Sequence, residues 1–566
     1  MTTLVFVLLA FAFLGPGTPA AAQTPEAVRT CDSSTNVLPS LSLLAIQTGR
    51  LAPGESTCFG LTLGRGEFAR ISIDADAYVR ARMLGPRRNA LQVTWISSFA
   101  FAAPSLPLVI EAPESGLYIV ELTVPTWVSF TNAQAFRVQM SHWESATVRA
   151  GRRQDLRQDP RVAWLRGNVQ RLRSIDPDDS DSSDLEFLRE VLRGTRVVLL
   201  GEGESGGGSD VLAKTRLARF LHEQMGFDVI AFQAGIHSST AAWRALQTAM
   251  DPREAVLKTL FGVLGRSAQA EALIQYLSAR ARTDRPLELA GFSSQLTGTA
   301  AGTLLPELQR FLSERGLSSP FTDSQATPTR VLAGVLDGRF ARDSTTLPSV
   351  VEQVGAVESL RSEALDLERR AGDHEGVFWA QVLRSTATQV DLTLNNLRGA
   401  GQGDMSGLVR QMAENLNWLV NTRYRGRKII VWAHTLHAMR SPEATSPGRA
   451  VGYTMGHGVW EALGTESFAI GFTSYNGRSH WVTQPDDYYQ DLIPAQHPSV
   501  DFETLMDAAG HEIGFVNLRT ARARGDWPGG RFVASALYLV PEEAEWSKAL
   551  DALFFIRTQE PRRRAR

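Results

Sequence analysis

Residues 197–210 read VVLLGEGESGGGSD. An aliphatic, β-branched run ends in Gly201-Glu202. A glycine-rich loop follows with Glu204 and Ser205, and a helix is expected to begin at Ser209 or Asp210. Strand, loop and helix in that order form the repeating unit of an α/β sheet. Such sheets bind ligands outside the carboxyl ends of their strands. The loop after Leu200 is therefore the first place to look for chemistry.

The same alternation continues downstream. Residues 229–232, 287–290, 429–432 and 468–472 are strand-like, with helical periodicity between them. In the first helix Ala213, Leu217, Phe220 and Leu221 fall on one face. Residues 345–397 carry a long helical pattern with few breakers, which reads as an insertion. The fold class is α/β, a mostly parallel sheet with helical layers and a helical insertion. Upstream, residues 30–145 read as β. Phe59, Leu61 and Leu63 alternate, as do Ile71 and Ile73, between turns at Pro53-Gly54, Gly64-Arg65-Gly66 and Glu114-Ser115-Gly116. Short strands with regular turn signals predict a small all-β sandwich. The expected layout is a signal peptide over 1–22, a β-sandwich accessory domain over 23–147, a linker with a helix near 161–175 over 148–184, and the α/β domain over 185–566.

With 43% hydrophobic and 21% charged residues and a formal net charge of −2, the 566-residue chain has ordinary globular composition. No basic stripe appears before Arg562-Arg563-Arg564, so nothing electrostatic favours nucleic acid. That basic tail reads as a solvated end. Residues 4–14 form an apolar run too short to span a bilayer, broken by Gly15-Pro16-Gly17 and followed by Ala20-Ala21-Ala22 before Gln23. This resembles a cleavable secretory signal and implies a secreted or periplasmic protein. The absence of Lys or Arg ahead of the run leaves a short membrane anchor as the alternative. No later segment is a continuous apolar span, so no membrane span is expected after cleavage. Cys31 and Cys58 are the only cysteines, and in an exported chain they form one disulfide or stand as two separate thiols. Neither has metal-ligand spacing, and no metal or cofactor is expected.

A second motif, IIVWAHTLHAMR at residues 429–440, ends a buried-type strand with His434 and His437. Both motifs lie at strand carboxyl ends and can share one cleft. A histidine there could serve as general base, or both could be structural. His480 and Trp481 could line the same cleft, although structural roles suit them and His457 better. The aromatic runs at 95–101 and 130–136 read as sandwich core.

Taken together, these motifs resemble the erythromycin esterase family over roughly residues 185–560. The anchors are VVLLGE (197–202), RLARFLHEQMGFDVIAF (216–232), GFSSQ (291–295), MAENLNWL (412–419), VWAHTLH (431–437), MGHGVWEALG (455–464), AIGFTSYNG (469–477) and LDALFFI (550–556). The upstream sequence LAPGESTCFGLTLGRGEFARISI with ESGLYIVELTV is similar to the bacterial pre-peptidase C-terminal domains, accessory sandwiches of secreted enzymes. The first resemblance implies an α/β protein with a deep cleft. Some members open macrolide lactones, using a histidine to activate water without a required metal.

Carrying the family pattern over exposes losses. The first family motif runs Gly-Glu, two variable residues, His-Gly. Here Glu202 is kept, but Ser205 stands at the base histidine. Gln233 and Ser293 replace two acidic residues, and the family arginine falls near Lys214 or Arg216. His434 and His437 are kept, with Thr435 in place of the usual Asn. A serine cannot deprotonate water near neutral pH, and glutamine cannot hold a charge beside an imidazole. Loss of a base typically costs about 10²–10⁴ in rate.

The residues expected at the site are Glu202, Ser205, His434 and His437 as catalytic positions, with Glu204, Gln233, Ser293 and Lys214 lining the substrate. The reading favoured by the losses is an exported family member with weak or no family-type hydrolysis, binding an ester-bearing or polyketide-like small molecule. One alternative is an active carboxylic-ester hydrolase, because Gly203-Glu204-Ser205-Gly206-Gly207 fits G-x-S-x-G. Ser205 would then be nucleophile with His434 or His437 as base. The other is a ligand- or glycan-binding protein acting through the sandwich.

Overall fold

The computed structural model describes residues 38–565 apart from 76–78, 97–106, 126–132, 249, 258–261, 297–298, 400–405, 481–488, 493–499 and 539. The signal segment, Cys31, Trp481 and parts of the two aromatic runs lie outside the described residues.

The N-terminal region is a sandwich of two four-stranded antiparallel sheets. Its strands are β1 (Ile46–Leu51), β2 (Ser56–Leu63), β3 (Phe68–Ala75), β4 (Val79–Leu84), β5 (Ala90–Ile96), β6 (Leu108–Glu111), β7 (Gly116–Thr123) and β8 (Gln134–Glu144). The sheets run β1-β8-β3-β6 and β2-β7-β4-β5. The alternating Phe59, Leu61, Leu63, Ile71 and Ile73 meet in one core between them, together with Tyr118 and Val138. Cys58 is buried on β2.

Residues 146–184 are more structured than a linker with one helix. They carry helices Ala146–Gln158 and Pro160–Asn168, with Asp159 capping the second, and the strand β9 (Gln170–Arg171).

The α/β region contains β10 (Val197–Glu202), β11 (Phe227–Gly235), β12 (Glu288–Ser293), β13 (Lys428–His434), β14 (Ser467–His480), β15 (Tyr489–Leu492), β16 (Ile513–Asn517), β17 (Phe532–Ala534), β18 (Glu542–Ala544) and β19 (Ala552–Gln559). The main sheet runs β12-β11-β13-β10-β14-β19-β16-β9, with β15 pairing onto β14. The six strands from β12 to β19 are mutually parallel, and β16, β9 and β15 join antiparallel. Two apolar layers cover the faces. One holds Val197, Leu199, Ile429 and Val431, and the other holds Val198, Leu200, Ile430, Trp432 and the predicted helix face Ala213, Leu217, Phe220 and Leu221. Burial on both faces is why these strands read as unbroken apolar runs.

The helical insertion between β12 and β13 has its own core. Its long periodic stretch is two helices, Val350–Arg370 and His374–Leu397. Ser349 and Glu352 form a capping box at the first, and the Asp373 side chain caps the second. Among the described residues no helix is long and apolar enough to cross a membrane.

Close approach fixes the end of β10. A Cβ on Gly201 would stand 2.9 Å from Thr435 Cα and 3.2 Å from Ala438 Cβ. Gly201→Ala is expected to destabilise the fold by about 1–3 kcal/mol through overpacking, read as a lowered denaturant midpoint with an unchanged slope.

Candidate functional site

β10 and β13 are parallel neighbours in register, with Leu200 opposite Trp432 and Glu202 opposite His434. Because side chains alternate along a strand, all four point to the face covered by helix Gly208–Met225. That helix delivers Lys214, which is fully buried. Lys214 Nζ donates to Glu202 Oε2 at 2.7 Å and to the Ala433 carbonyl at 3.3 Å. It also lies 4.3 Å from the centroid of the Trp432 ring. Of the two cations the sequence offered, Lys214 is the one at the site. Arg216 instead holds Asp184 at 2.7 Å and the carbonyls of Ser174 and Asp181.

A second cation arrives from the chain end. β19 is parallel to β14 and ends at the same edge of the sheet. The residues after it run past the glycine loop, with Gly207 bridging Pro561 and Ser267 bridging Arg564. Gly208 N–H donates to Glu560 O at 2.7 Å, Ser209 N–H to Gln559 Oε1 at 2.9 Å, and Arg562 N–H to Gly206 O at 2.9 Å. A Cβ on Gly208 would stand 2.7 Å from the Pro561 carbonyl, so the loop glycines admit the tail. Arg562 is 2% exposed, with Nη2 3.6 Å from Glu202 Oε1. The expectation of a solvated tail is thus overturned for Arg562, while the Arg563 side chain remains largely exposed. The available signal was the apolar run before it, LFFI at residues 553–556. An arginine soon after a parallel strand lies at the carboxyl edge of the sheet.

Two cations therefore bracket Glu202. Burial pushes its carboxyl up, but Lys214 and then Arg562 outweigh this and hold it below the usual range. Its neighbours behave oppositely. Burial raises Glu204 to about 7, although its Oε2 accepts from Ser479 Oγ and from Gly206 N–H at 2.6 Å. Burial likewise raises Asp210 to about 6, while it accepts from Gln559 Nε2 at 2.8 Å. Ser205 Oγ donates to Glu202 Oε1 at 3.4 Å.

His434 caps the short helix Thr435–Ala438, its Nδ1 accepting from Leu436 N–H at 3.1 Å. Its ring lies against Tyr538 with centroids 4.7 Å apart. Burial lowers its pKa to about 4, despite Glu202 and a hydrogen bond to the Gly203 backbone that favour the charged ring. His437 Nε2 lies 3.3 Å from Gln233 Nε2. Burial, then the neighbouring His434, lowers its pKa to about 3. Both imidazoles are neutral at pH 7. Thr435 Oγ1 donates to Gly201 O at 2.7 Å and ties the two motifs together.

The structure thus gathers Glu202, Ser205, Lys214 and His434, and pairs Gln233 with His437. Glu204 turns to Ser479. Ser293 is fully buried and its hydroxyl accepts from Gln295 N–H at 3.1 Å, which is turn geometry rather than a ligand contact. Among the described residues no hydrogen bond joins Ser205 to either imidazole, and no group of three His, Cys, Asp or Glu side chains could hold a metal ion. Sequence reasoning missed Arg562, Tyr538, Ser479 and Asp210. His480 is buried with Nδ1 3.1 Å from the Arg562 carbonyl, and His457 Nδ1 bonds the Arg440 carbonyl at 2.8 Å.

The family model described as erythromycin esterase matches residues 222–558. The chain belongs to the erythromycin esterase family. Among curated relatives, a putative hydrolase of Bacillus subtilis is 25% identical over 387 residues, covering 64% of this chain and 82% of the relative. Erythromycin esterase type II of Escherichia coli is 23% identical over 407 residues, covering 67% and 93%. A crystal structure of a Bacillus cereus protein shares the fold with a TM-score of 0.57 at 16% identity, covering 73% of this chain and 99% of that one. The glycine loop and the tail both lie outside the matched range, so the family match assigns neither of them a role.

Removing Lys214 strands a buried carboxylate. Lys214→Met is expected to cost about 3–5 kcal/mol, and Glu202→Gln in the same chain should recover most of it in denaturant titrations. Glu204 gives a pH signature. Its folded pKa of about 7 stands above its usual 4.5, so it contributes stability that is complete below pH 4.5 and is lost as pH rises through 7. Glu204→Gln should flatten that decline in thermal midpoints.

Proposed function

We propose that this family member binds an ester-bearing or polyketide-like small molecule at the carboxyl edge of its sheet without running the histidine-dependent hydrolysis of its relatives. The state of the two imidazoles carries this reading. With pKa values of about 4 and 3, His434 and His437 hold protons too weakly to take one from water near neutrality. His434 also uses Nδ1 to cap a helix. At the family's base position Ser205 faces Glu202, which cannot act as a strong base while Lys214 and Arg562 stabilise its negative charge.

The same geometry argues against Ser205 as nucleophile. Attack requires a base on its hydroxyl, and its described partner is a carboxylate stabilised in the ionised form. The proposed setting is outside the cytoplasm, after removal of residues 1–22, with Cys31 bonded to Cys58. Residues 38–144 would then be an accessory sandwich.

Purified protein should turn over p-nitrophenyl butyrate and open macrolide lactones no faster than its Ser205→Ala and His434→Ala variants, and a sulfonyl fluoride should leave Ser205 unlabelled. A rate that falls at least tenfold in either variant would overturn the reading.

A further inference from the structure

We propose that the C-terminal tail completes a carboxylate-binding site, in which the Arg562 guanidinium receives the carboxylate oxygen of a small organic acid beside the glycine loop. This rests on the binding reading above and narrows it, among the molecules proposed there, to those that carry a free carboxylate. The ligand would be the acid form, as released by ester or lactone opening, rather than the intact ester.

The first support is placement. The tail is stitched to the loop and its neighbour by backbone bonds at Glu560, Arg562, Arg563 and Ala565. Besides those at Gly206 and Gly208, Ala268 N–H donates to Arg563 O at 2.7 Å and Ala565 N–H to Arg266 O at 2.8 Å. Gln269 adds Nε2 to Pro561 O at 3.1 Å and accepts from Arg563 N–H at 3.0 Å. Arg562 is consequently held at the edge where β10, β13, β14 and β19 end.

The second is an unused donor. Arg562 Nη2 is buried and makes no hydrogen bond among the described residues. At 3.6 Å from Glu202 Oε1 it gains charge attraction from that carboxylate but no hydrogen bond. Its Nε reaches Gly207 O at 3.4 Å. A buried guanidinium N–H without an acceptor is costly, and a charge-assisted bond to carboxylate is among the strongest it can make.

The third is local charge. Facing Arg562 are Lys214, Glu202, Glu204 and Asp210, with neutral His434 beside Glu202 and the His480 ring 3.1 Å from the Arg562 carbonyl. When Glu204 and Asp210 are protonated, the ionised groups are two cations and one carboxylate, leaving one positive charge for an anionic ligand. When both are ionised, the cluster is negative and repels it. The site therefore selects a monoanion and weakens as pH rises.

The probe is hexanoate, with methyl hexanoate as the uncharged comparison, measured by titration calorimetry and thermal shift on the full chain. Hexanoate should bind and the methyl ester should not. Arg562→Gln should weaken hexanoate about 10- to 100-fold, the loss of one charge-assisted hydrogen bond. Arg562→Lys, which keeps the charge in a fold that the tail bonds still hold, should fall between. Arg563→Gln, on an exposed neighbour, should bind as the parent. Wild-type affinity should drop between pH 6 and pH 7, where Asp210 and Glu204 lose their protons. Absence of hexanoate binding at millimolar concentration, equal binding of acid and ester, or unchanged affinity in Arg562→Gln overturns the site. Hydrolysis of methyl hexanoate by the wild type would sink the functional reading while leaving the acid-binding result to stand or fall separately.

Discussion

The Glu202 carboxylate, buried between Lys214 and Arg562, is the constraint on which the site depends. An ion in that position is tolerable only if its oxygens are matched, because desolvation costs several kcal/mol. Three distant segments must converge to match it. The end of β10 supplies the carboxylate, helix Gly208–Met225 the ammonium, and the chain terminus the guanidinium. Once they meet, the glycine loop has little freedom. Its backbone is committed to the tail on one side and to Tyr538 N–H, which donates to Gly203 O at 2.7 Å, on the other.

That arrangement also explains the chemistry of the neighbouring groups. Glu202 takes most of the benefit of the two cations. Glu204 and Asp210, less well matched, keep their protons toward neutral pH. The imidazoles of His434 and His437 are driven the other way by the same dry surroundings. One environment thus raises the acids and lowers the bases, a separation that in an active hydrolase would assign acid and base roles. Here both imidazoles are neutral at pH 7 and bind a proton only weakly.

Much of the fold was legible. The apolar runs at β10, β11, β13 and β14 are read directly because a parallel strand buried on both faces has no polar side to show. The sandwich was legible for the opposite reason, since strands with one face on a core alternate, as Phe59, Leu61 and Leu63 do. β9 was missed because two residues carry no periodicity, and the break at residues 371–373 because a helical pattern continues across a short turn. At the site, Glu202 and His434 could be placed together because both end parallel strands. The choice between Lys214 and Arg216 could not be made, since both lie on one helix and only the position of Asp184 decides between them.

The sequence by itself determined the family and the α/β sheet, and it placed Glu202 and His434 at strand carboxyl ends. These depend on local pattern and residue identity. Only the tertiary structure decided that Arg562 belongs to the site, that Ser293 serves a turn, and that His434 is occupied as a helix cap. Each of those depends on which groups meet across hundreds of residues and how completely water is excluded from them. Neither contact nor burial is encoded in any short stretch of chain.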